Sequence, residues 1–268
     1  MRKEVLLVVV IAVFAVYSLV EPYLLRVNDF VVSDVDVPEG FVGKKIAFIS
    51  DVHCGSLFSP ERLKNVVSLT NSLEPDLIVL GGDYVFLAGE DMEECMRSLG
   101  GLNAPLGVYA VFGNHDAWEN IPFMRKICEE YGIKFIDNDA LWIDSGPDRI
   151  RLGGVGDMWT NTQNISPTLK PVEDEDFVVL VSHNPQYADE LDTSLVDLML
   201  SGHTHGGQVL PVRLMAPHMS GWLRQTYMSG VYELDTLKLI VSNGVGMVFL
   251  PIRFMSPPEV VLVELADT

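Results

Sequence analysis

The chain has 268 residues, 48% of them hydrophobic, with 37 Asp and Glu against 18 Lys and Arg, a formal net charge of -19. That length and apolar share suit one ordered globular domain, with no repeat or low-complexity tract. The acidity excludes non-specific nucleic-acid binding, whose affinity comes from basic side chains neutralising phosphates, and no protein partner can be inferred from it.

Residues 5–20 carry no charge, follow Arg2 and Lys3, and stop at Glu21-Pro22. Sixteen residues at ~1.5 Å each approach the ~30 Å hydrocarbon core of a bilayer, and Tyr23-Leu24-Leu25 extend the stretch. Residues 1–25 are therefore expected to form a membrane anchor. A cleaved signal peptide and a buried helix are the alternatives, but no Ala-x-Ala-like site follows the apolar run. The two basic residues at the short end predict a cytoplasmic N-terminus and an extracytoplasmic catalytic domain.

Residues 26–43 mix Val with Asp, Pro and Gly and read as a linker, with room for an edge strand, before a domain over 44–268. From Lys44 short apolar runs alternate with helical patterns. Ile46-Ala47-Phe48-Ile49 leads to a helix opening at Ser59-Pro60-Glu61, with Leu63, Val66, Val67 and Thr70 on one face and a stop before Pro75. Leu77-Ile78-Val79-Leu80, residues 108–112, residues 177–181 and Leu198-Met199-Leu200 complete one set of buried strands. After His205 the pattern changes to strands without helices, at 230–234, 237–242 and 260–265, which predicts a second sheet packed face to face on the first.

Three cysteines, an odd number without paired spacing, give no sign of a disulfide framework. Cys95 and Cys128 fall on apolar helix faces. Cys54 reads as a packing residue, a metal or redox role beside His53 being the alternative.

Each strand of the first set ends at a polar cluster. Asp51-Val52-His53 follows the first, Gly81-Gly82-Asp83 the second, Gly113-Asn114-His115-Asp116 the third, Ser182-His183-Asn184 the fourth and Gly202-His203-Thr204-His205 the fifth. Ligands of open α/β sheets bind beyond the carboxyl ends of strands, so these distant residues are expected to meet at one rim. Imidazole with carboxylate suits borderline divalent ions such as Mn, Fe, Zn or Co, and points to metal-assisted hydrolysis. A lone cluster of this kind is often a helix cap or a turn. Five in order are not. His218 belongs to none of them and reads as an ordinary loop residue.

The ordered series Asp51-x-His53, Gly82-Asp83, Gly113-Asn114-His115-Asp116, His183 and Gly202-His203-x-His205 resembles the calcineurin-like metallophosphoesterase family over roughly residues 44–265. It is most similar to the membrane-anchored or exported microbial branch. His203-Thr204-His205-Gly206-Gly207-Gln208, Asn243-Gly244-Val245-Gly246, Leu250-Pro251-Ile252-Arg253 and Pro258-Glu259 look like that branch's signatures. Some members cleave the pyrophosphate of UDP-diacylglucosamine, and others are phosphodiesterases or phosphatases.

The resemblance implies a four-layer α/β/β/α sandwich of two mixed sheets and a site holding two divalent metal ions. Asp51, His53 and His205 would bind one, Asn114, His183 and His203 the other, with Asp83 bridging them and a bridging hydroxide attacking. His115 would protonate the leaving oxygen or stabilise the phosphoryl oxygens, and Asp116 would hold its ring.

On the substrate side, Asn114 and Arg253 are expected to meet the phosphate, although a loop Arg is as often a packing residue. Trp159 reads as packing outside the site. Leu214-Met215-Ala216-Pro217 and Met219-Ser220-Gly221-Trp222-Leu223 are either covered by the second sheet or form an apolar lip facing lipid. The expected function is a phosphodiesterase or pyrophosphohydrolase acting on a small or lipid-linked phosphoester. A phosphomonoesterase using the same site, or a non-catalytic protein-binding scaffold, are the alternatives, the scaffold being disfavoured by the complete ligand set.

Overall fold

The computed structural model describes residues 2–86, 88–160, 162–170, 172–219 and 225–268, the side chains of Arg2 and Glu90 aside. An apolar helix α1 (Arg2–Val20) ends in a 3-10 turn at Glu21–Tyr23. Then come β1 (Arg26–Ser33), β2 (Lys45–Ile49), β3 (Cys54–Gly55), α2 (Pro60–Ser72), β4 (Leu77–Leu80), β5 (Val85–Phe86), α3 (Met92–Leu99), β6 (Val108–Ala110), α4 (Ile121–Glu130) and β7 (Ile133–Phe135). The later part has β8 (Asp139–Ser145), β9 (Asp148–Gly154), α5 (Ser166–Leu169), β10 (Val178–Val181), β11 (Leu198–Ser201), α6 (Leu210–Met215), β12 (Gly230–Leu234), β13 (Leu237–Val241) and β14 (Glu259–Ala266).

Local sequence explains the helices. Ser59 caps α2, its Oγ accepting from the Arg62 N–H, Pro60 occupies the first turn, and Leu63, Val66, Val67 and Thr70 are buried. The helix ends ahead of Pro75, as expected.

Two six-stranded sheets form, in the orders β1-β14-β2-β4-β6-β7 and β12-β13-β11-β10-β9-β8. Side chains alternate across each strand. Ala47 and Ile49 therefore pack with Leu63, Met96 and Met124 of the helices, while Ile46 and Phe48 meet Val179, Leu198 and Ile240 of the second sheet. The other face of that sheet, with Leu180, Met199 and Leu239, is covered by Tyr187, Ala188 and Tyr227. Three apolar interfaces separate four layers, and the α/β sandwich of two mixed sheets is as expected. Over the second sheet, the covering layer includes short 3-10 turns such as Pro185–Glu190.

Several expectations need correction. The runs at 177–181 and 198–200 form β10 and β11 of the second sheet, and the last strand, β14, belongs to the first, parallel to β1 and antiparallel to β2. A strand buried on both faces has the same apolar pattern in either sheet, so its membership is invisible locally. Residues 26–33 pair with β14 over eight positions, from Arg26↔Glu259 to Ser33↔Ala266, and form the edge strand for which residues 26–43 left room. β7, β8 and β9 were not anticipated.

The cysteine expectation also fails in part. Cys54 and Cys95 form a disulfide joining β3 to α3, across 41 residues of sequence, whereas Cys128 is free and buried as expected. Packing of α3 on β3 brings the two sulfurs together. No spacing rule could have paired them.

Candidate metal centre

The loops after β2, β4, β6, β10 and β11 converge, bringing the polar clusters of both sheets together. Their backbones turn sharply. Asp51, His53, Asp83, His203 and His205 all have left-handed φ, between 45° and 69°. Non-glycine residues rarely adopt this conformation, and such strain gathers at functional sites. Gly113 and Gly202 have another constraint: a Cβ at Gly113 would strike Asp83 Oδ1, and one at Gly202 would strike Asp51 Oδ2. Only glycine lets these carboxylates pass.

Asp83 stands at the middle. Its Oδ2 lies 3.2 Å from His183 Nε2 and 3.5 Å from His53 Nε2, while Oδ1 accepts from the His115 N–H at 2.8 Å. On one side His53 Nε2 and His205 Nε2 are 2.9 Å apart, and His205 Nε2 is 3.5 Å from Asp51 Oδ1. On the other, His203 Nδ1 is 2.9 Å from Asn114 Oδ1. Asp51 is held in place because both its oxygens accept from the His203 N–H, at 2.9 and 3.0 Å.

At this rim three groups have ligand atoms within 4.8 Å of one another: Asp51, His53 and His205; Asp83, His183 and His203; and His53, Asp83 and His115. Six of the seven residues expected to bind metal fall in these groups, His115 beside them, and Asn114 joins them through His203.

Burial and charge tune these groups. His183 Nδ1 donates to the Gly81 carbonyl at 2.7 Å, which directs Nε2 inward and fixes the ring. Burial opposes charge on His183, but the Asp83 carboxylate overrides it and pushes the ring up to about 10. Burial would raise Asp83 too, yet the facing His183 holds it well below the usual carboxylate range. Burial pushes His53 and His203 down to about 3 and His205 well below its ordinary value, leaving neutral imidazoles. Burial raises Asp51 to about 6. Neutral imidazoles, carboxylates and an amide oxygen converging on buried points fit divalent cations of the borderline class. A cation would displace the proton from His183 Nε2.

Two expected roles are overturned. Asp116 does not hold the His115 ring: its Oδ2 accepts from the Asp83 and Gly113 N–H groups and its Oδ1 from the Tyr84 N–H, each at 2.8 Å. It shapes the backbone beneath the site. Arg253 does not face substrate: it is 0% exposed, and its guanidinium donates to the carbonyls of Gly246, Ser256, Asn243 and Gly244. Each of its three guanidinium nitrogens donates inward because the loop closes around it, and Nη2 also approaches His205 Nδ1 at 3.4 Å.

The C-terminal signatures act through these supports. Val245 N–H donates to the Ser50 carbonyl and Gly246 N–H to that of Asp51, and Ser256 Oγ donates to the His205 carbonyl. Trp159, expected to lie outside the site, has its ring centroid 4.6 Å from that of His203, and Trp118, which the sequence reading missed, lies 4.4 Å from His115. Both are exposed. A bulky aromatic just after a motif is the only available signal, and it is a weak one.

Beside His203 and His205 opens a cavity of about 320 Å³ whose far wall includes Val209, Val212, Val248, Phe249, Leu250 and Ile252. Leu214, Met215 and Met219 are exposed whereas Ala216 is buried, so the second sheet does not cover the whole described part of the 214–223 connection; Ser220 to Leu223 lie outside the described residues.

Residues 44–207 match a family described as Calcineurin-like phosphoesterase. Among similar proteins, an uncharacterized metallophosphoesterase of Aquifex aeolicus (strain VF5) is 32% identical, over 93% of this chain and 95% of its own length. The uncharacterized metallophosphoesterase YkuE of Bacillus subtilis (strain 168) is 30% identical over 92% and 88%, and phosphodiesterase YaeI of Escherichia coli (strain K12) is 30% identical over 82% of each. In fold, the chain is similar to the sulfate thiohydrolase SoxB of Thermus thermophilus, with a TM-score of 0.51 at 11% identity, covering 76% of this chain and 52% of the other.

Proposed function

Since the chain belongs to the calcineurin-like phosphoesterase family and is a phosphoester hydrolase, we propose that it is a membrane-anchored phosphodiesterase or pyrophosphohydrolase with a dinuclear metal centre. The carrying observation is that one oxygen of Asp83 faces His183 at 3.2 Å and His53 at 3.5 Å. A carboxylate between two imidazole clusters suits a bridging role. Asp51, His53 and His205 would hold one ion, and Asn114, His183 and His203 the other. Such a pair, when bound, supplies Lewis-acid polarisation of the phosphoryl group and a nucleophile active near neutral pH.

The chain's own residues do the rest. His115, buried among His53, Phe86 and Trp118, is held at its backbone by Asp83 and is the group in this reading that protonates the leaving oxygen. Asn114 contributes an uncharged oxygen, which limits negative charge where an anionic ester must approach. Trp118, Trp159 and Phe249 frame the mouth. The apolar cavity beside His203 favours a substrate with a hydrocarbon portion, and the similarity to phosphodiesterase YaeI favours a diester.

The disulfide supports an extracytoplasmic domain, because such bonds persist in oxidising compartments. The test is a panel of bis-p-nitrophenyl phosphate, p-nitrophenyl phosphate and a nucleotide-linked lipid under Mn, Fe, Zn and Co. Diester or pyrophosphate turnover that tracks two bound metals per chain is expected. Monoester turnover alone, or no metal at all, would overturn the reading.

A further inference from the structure

Helix α1 does not leave the domain as a free stalk. Phe254 packs edge-on against Phe14 and Tyr17, at centroid distances of 5.4 and 6.0 Å, and the Arg253 N–H donates to the Ser18 carbonyl at 3.0 Å. Glu21, fully buried, accepts from the N–H groups of Met255 and Ser256 at 2.9 and 2.6 Å. The segment around 249–255 is therefore clamped alongside the last two turns of the apolar helix.

Length makes this decisive. The helix has 19 residues, ~28 Å at ~1.5 Å each, against a ~30 Å hydrocarbon core. If the clamped segment stayed in water, only the nine apolar residues from Val5 to Val13, bounded by the charged Arg2-Lys3-Glu4, would be left to span, ~14 Å. That is too short. The helix can cross only if the segment packed on it enters the bilayer interface as well.

The surface there suits lipid. Phe249 is 72% exposed and Met255 54%, and both hold left-handed φ, 61° and 57°, a strained geometry with little packing to offset it in water. Val212, Leu214 and Met215 of α6 and Leu250 are exposed too. In a chain with 37 acidic residues, none occurs from His203 to Tyr232 or from Thr236 to Pro258. This face can approach anionic headgroups without repulsion.

We propose that the domain is seated in the bilayer interface through Val212, Leu214, Met215, Phe249, Leu250 and Met255, so that the cavity beside His203 opens onto lipid. The partner of this face is the bilayer itself. The inference rests on α1 being a membrane anchor and deepens the substrate reading, since an ester group of a lipid would reach the site without leaving the membrane.

The test uses the full chain in phosphatidylcholine and phosphatidylglycerol vesicles, with a bimane label at Phe249→Cys, Leu214→Cys, Val16→Cys or Val35→Cys. Quenching by acyl-chain nitroxide lipid is read, and circular dichroism checks folding. Phe249→Cys and Leu214→Cys are each expected to be quenched at least about threefold more than Val35→Cys, and comparably to Val16→Cys in the helix. Quenching of Val16→Cys alone would overturn the seating, and absence of quenching at Val16→Cys would overturn the anchor and the seating together. Hydrolysis of water-soluble bis-p-nitrophenyl phosphate by the unlabelled parent chain in the same vesicles tests the catalytic reading separately: no hydrolysis, with quenching of the labelled variants kept, would sink that reading and leave the seating.

Discussion

Two corners of the candidate metal centre are braced by different means. At the Asp83 and Asn114 corner, the support is internal to the first sheet: one buried carboxylate, Asp116, accepts three backbone N–H groups within the loops it shapes. At the His205 corner, the support comes from the ends of the chain. Arg253 and Ser256 hold the His205 loop, and Glu21 at the foot of α1 holds Ser256. The first corner is braced locally, whereas the second ties the site to helix α1.

The largest effect is expected at the first corner. Asp116→Ala would leave the Asp83, Tyr84 and Gly113 N–H groups buried without acceptors, at ~1–3 kcal/mol each, so urea unfolding should show a loss of about 3 kcal/mol or more. An unchanged urea midpoint would mean that the corner is held otherwise. His115→Ala should leave stability and two bound metals in place while turnover falls by ~10²- to 10⁴-fold. Metal loss measured by plasma mass spectrometry would instead make His115 a ligand.

Glu21→Ala probes the second corner. It should weaken metal binding ~10- to 100-fold, as removal of an outer support does, although Glu21 touches no proposed ligand side chain. Equal metal titrations for variant and parent would separate the helix from the site.

The smallest effect lies in the second sheet. Asp197, whose Oδ2 accepts from the Val178 N–H, is raised by burial from 3.8 to about 6, with Asp34 and Asp36 adding to the rise. The folded state therefore binds this proton more tightly than the unfolded one, so its contribution is present at low pH and is lost as pH rises through that window. Asp197→Asn keeps an acceptor oxygen and removes the loss. Relative to the parent, its melting temperature should gain ~2–4 °C between pH 4 and pH 7. No relative gain would refute the assignment.

The asymmetry between corners also marks how far the sequence could be read. The ligand motifs of the Asp83 corner were legible because they follow strands of one sheet in simple order, although its Asp116 support was not. At the His205 corner the motif was legible but its support was not. Arg253 looked like a phosphate ligand because a guanidinium suits phosphate, and only the closed loop shows its donors spent on carbonyls. Asp116 was misassigned for a related reason. Adjacency to His115 suggested a ring partner, while the turn aims the carboxylate at backbone behind it.

By itself, the sequence determined the chemistry: which donors exist, that each follows a strand, that one helix is apolar enough to enter a membrane, and that α2 begins at Ser59. These depend on residue type and on neighbours within a turn or two. Tertiary structure alone decided that β10 and β11 belong to one sheet and β14 to the other, that Cys54 meets Cys95, and that five site residues adopt left-handed backbone. It also decided that Phe254 lies against Phe14, across 240 residues of chain. Those outcomes follow from packing distant apolar faces together. No local periodicity carries that information, because the same pattern of buried residues suits several partners until the whole core selects one.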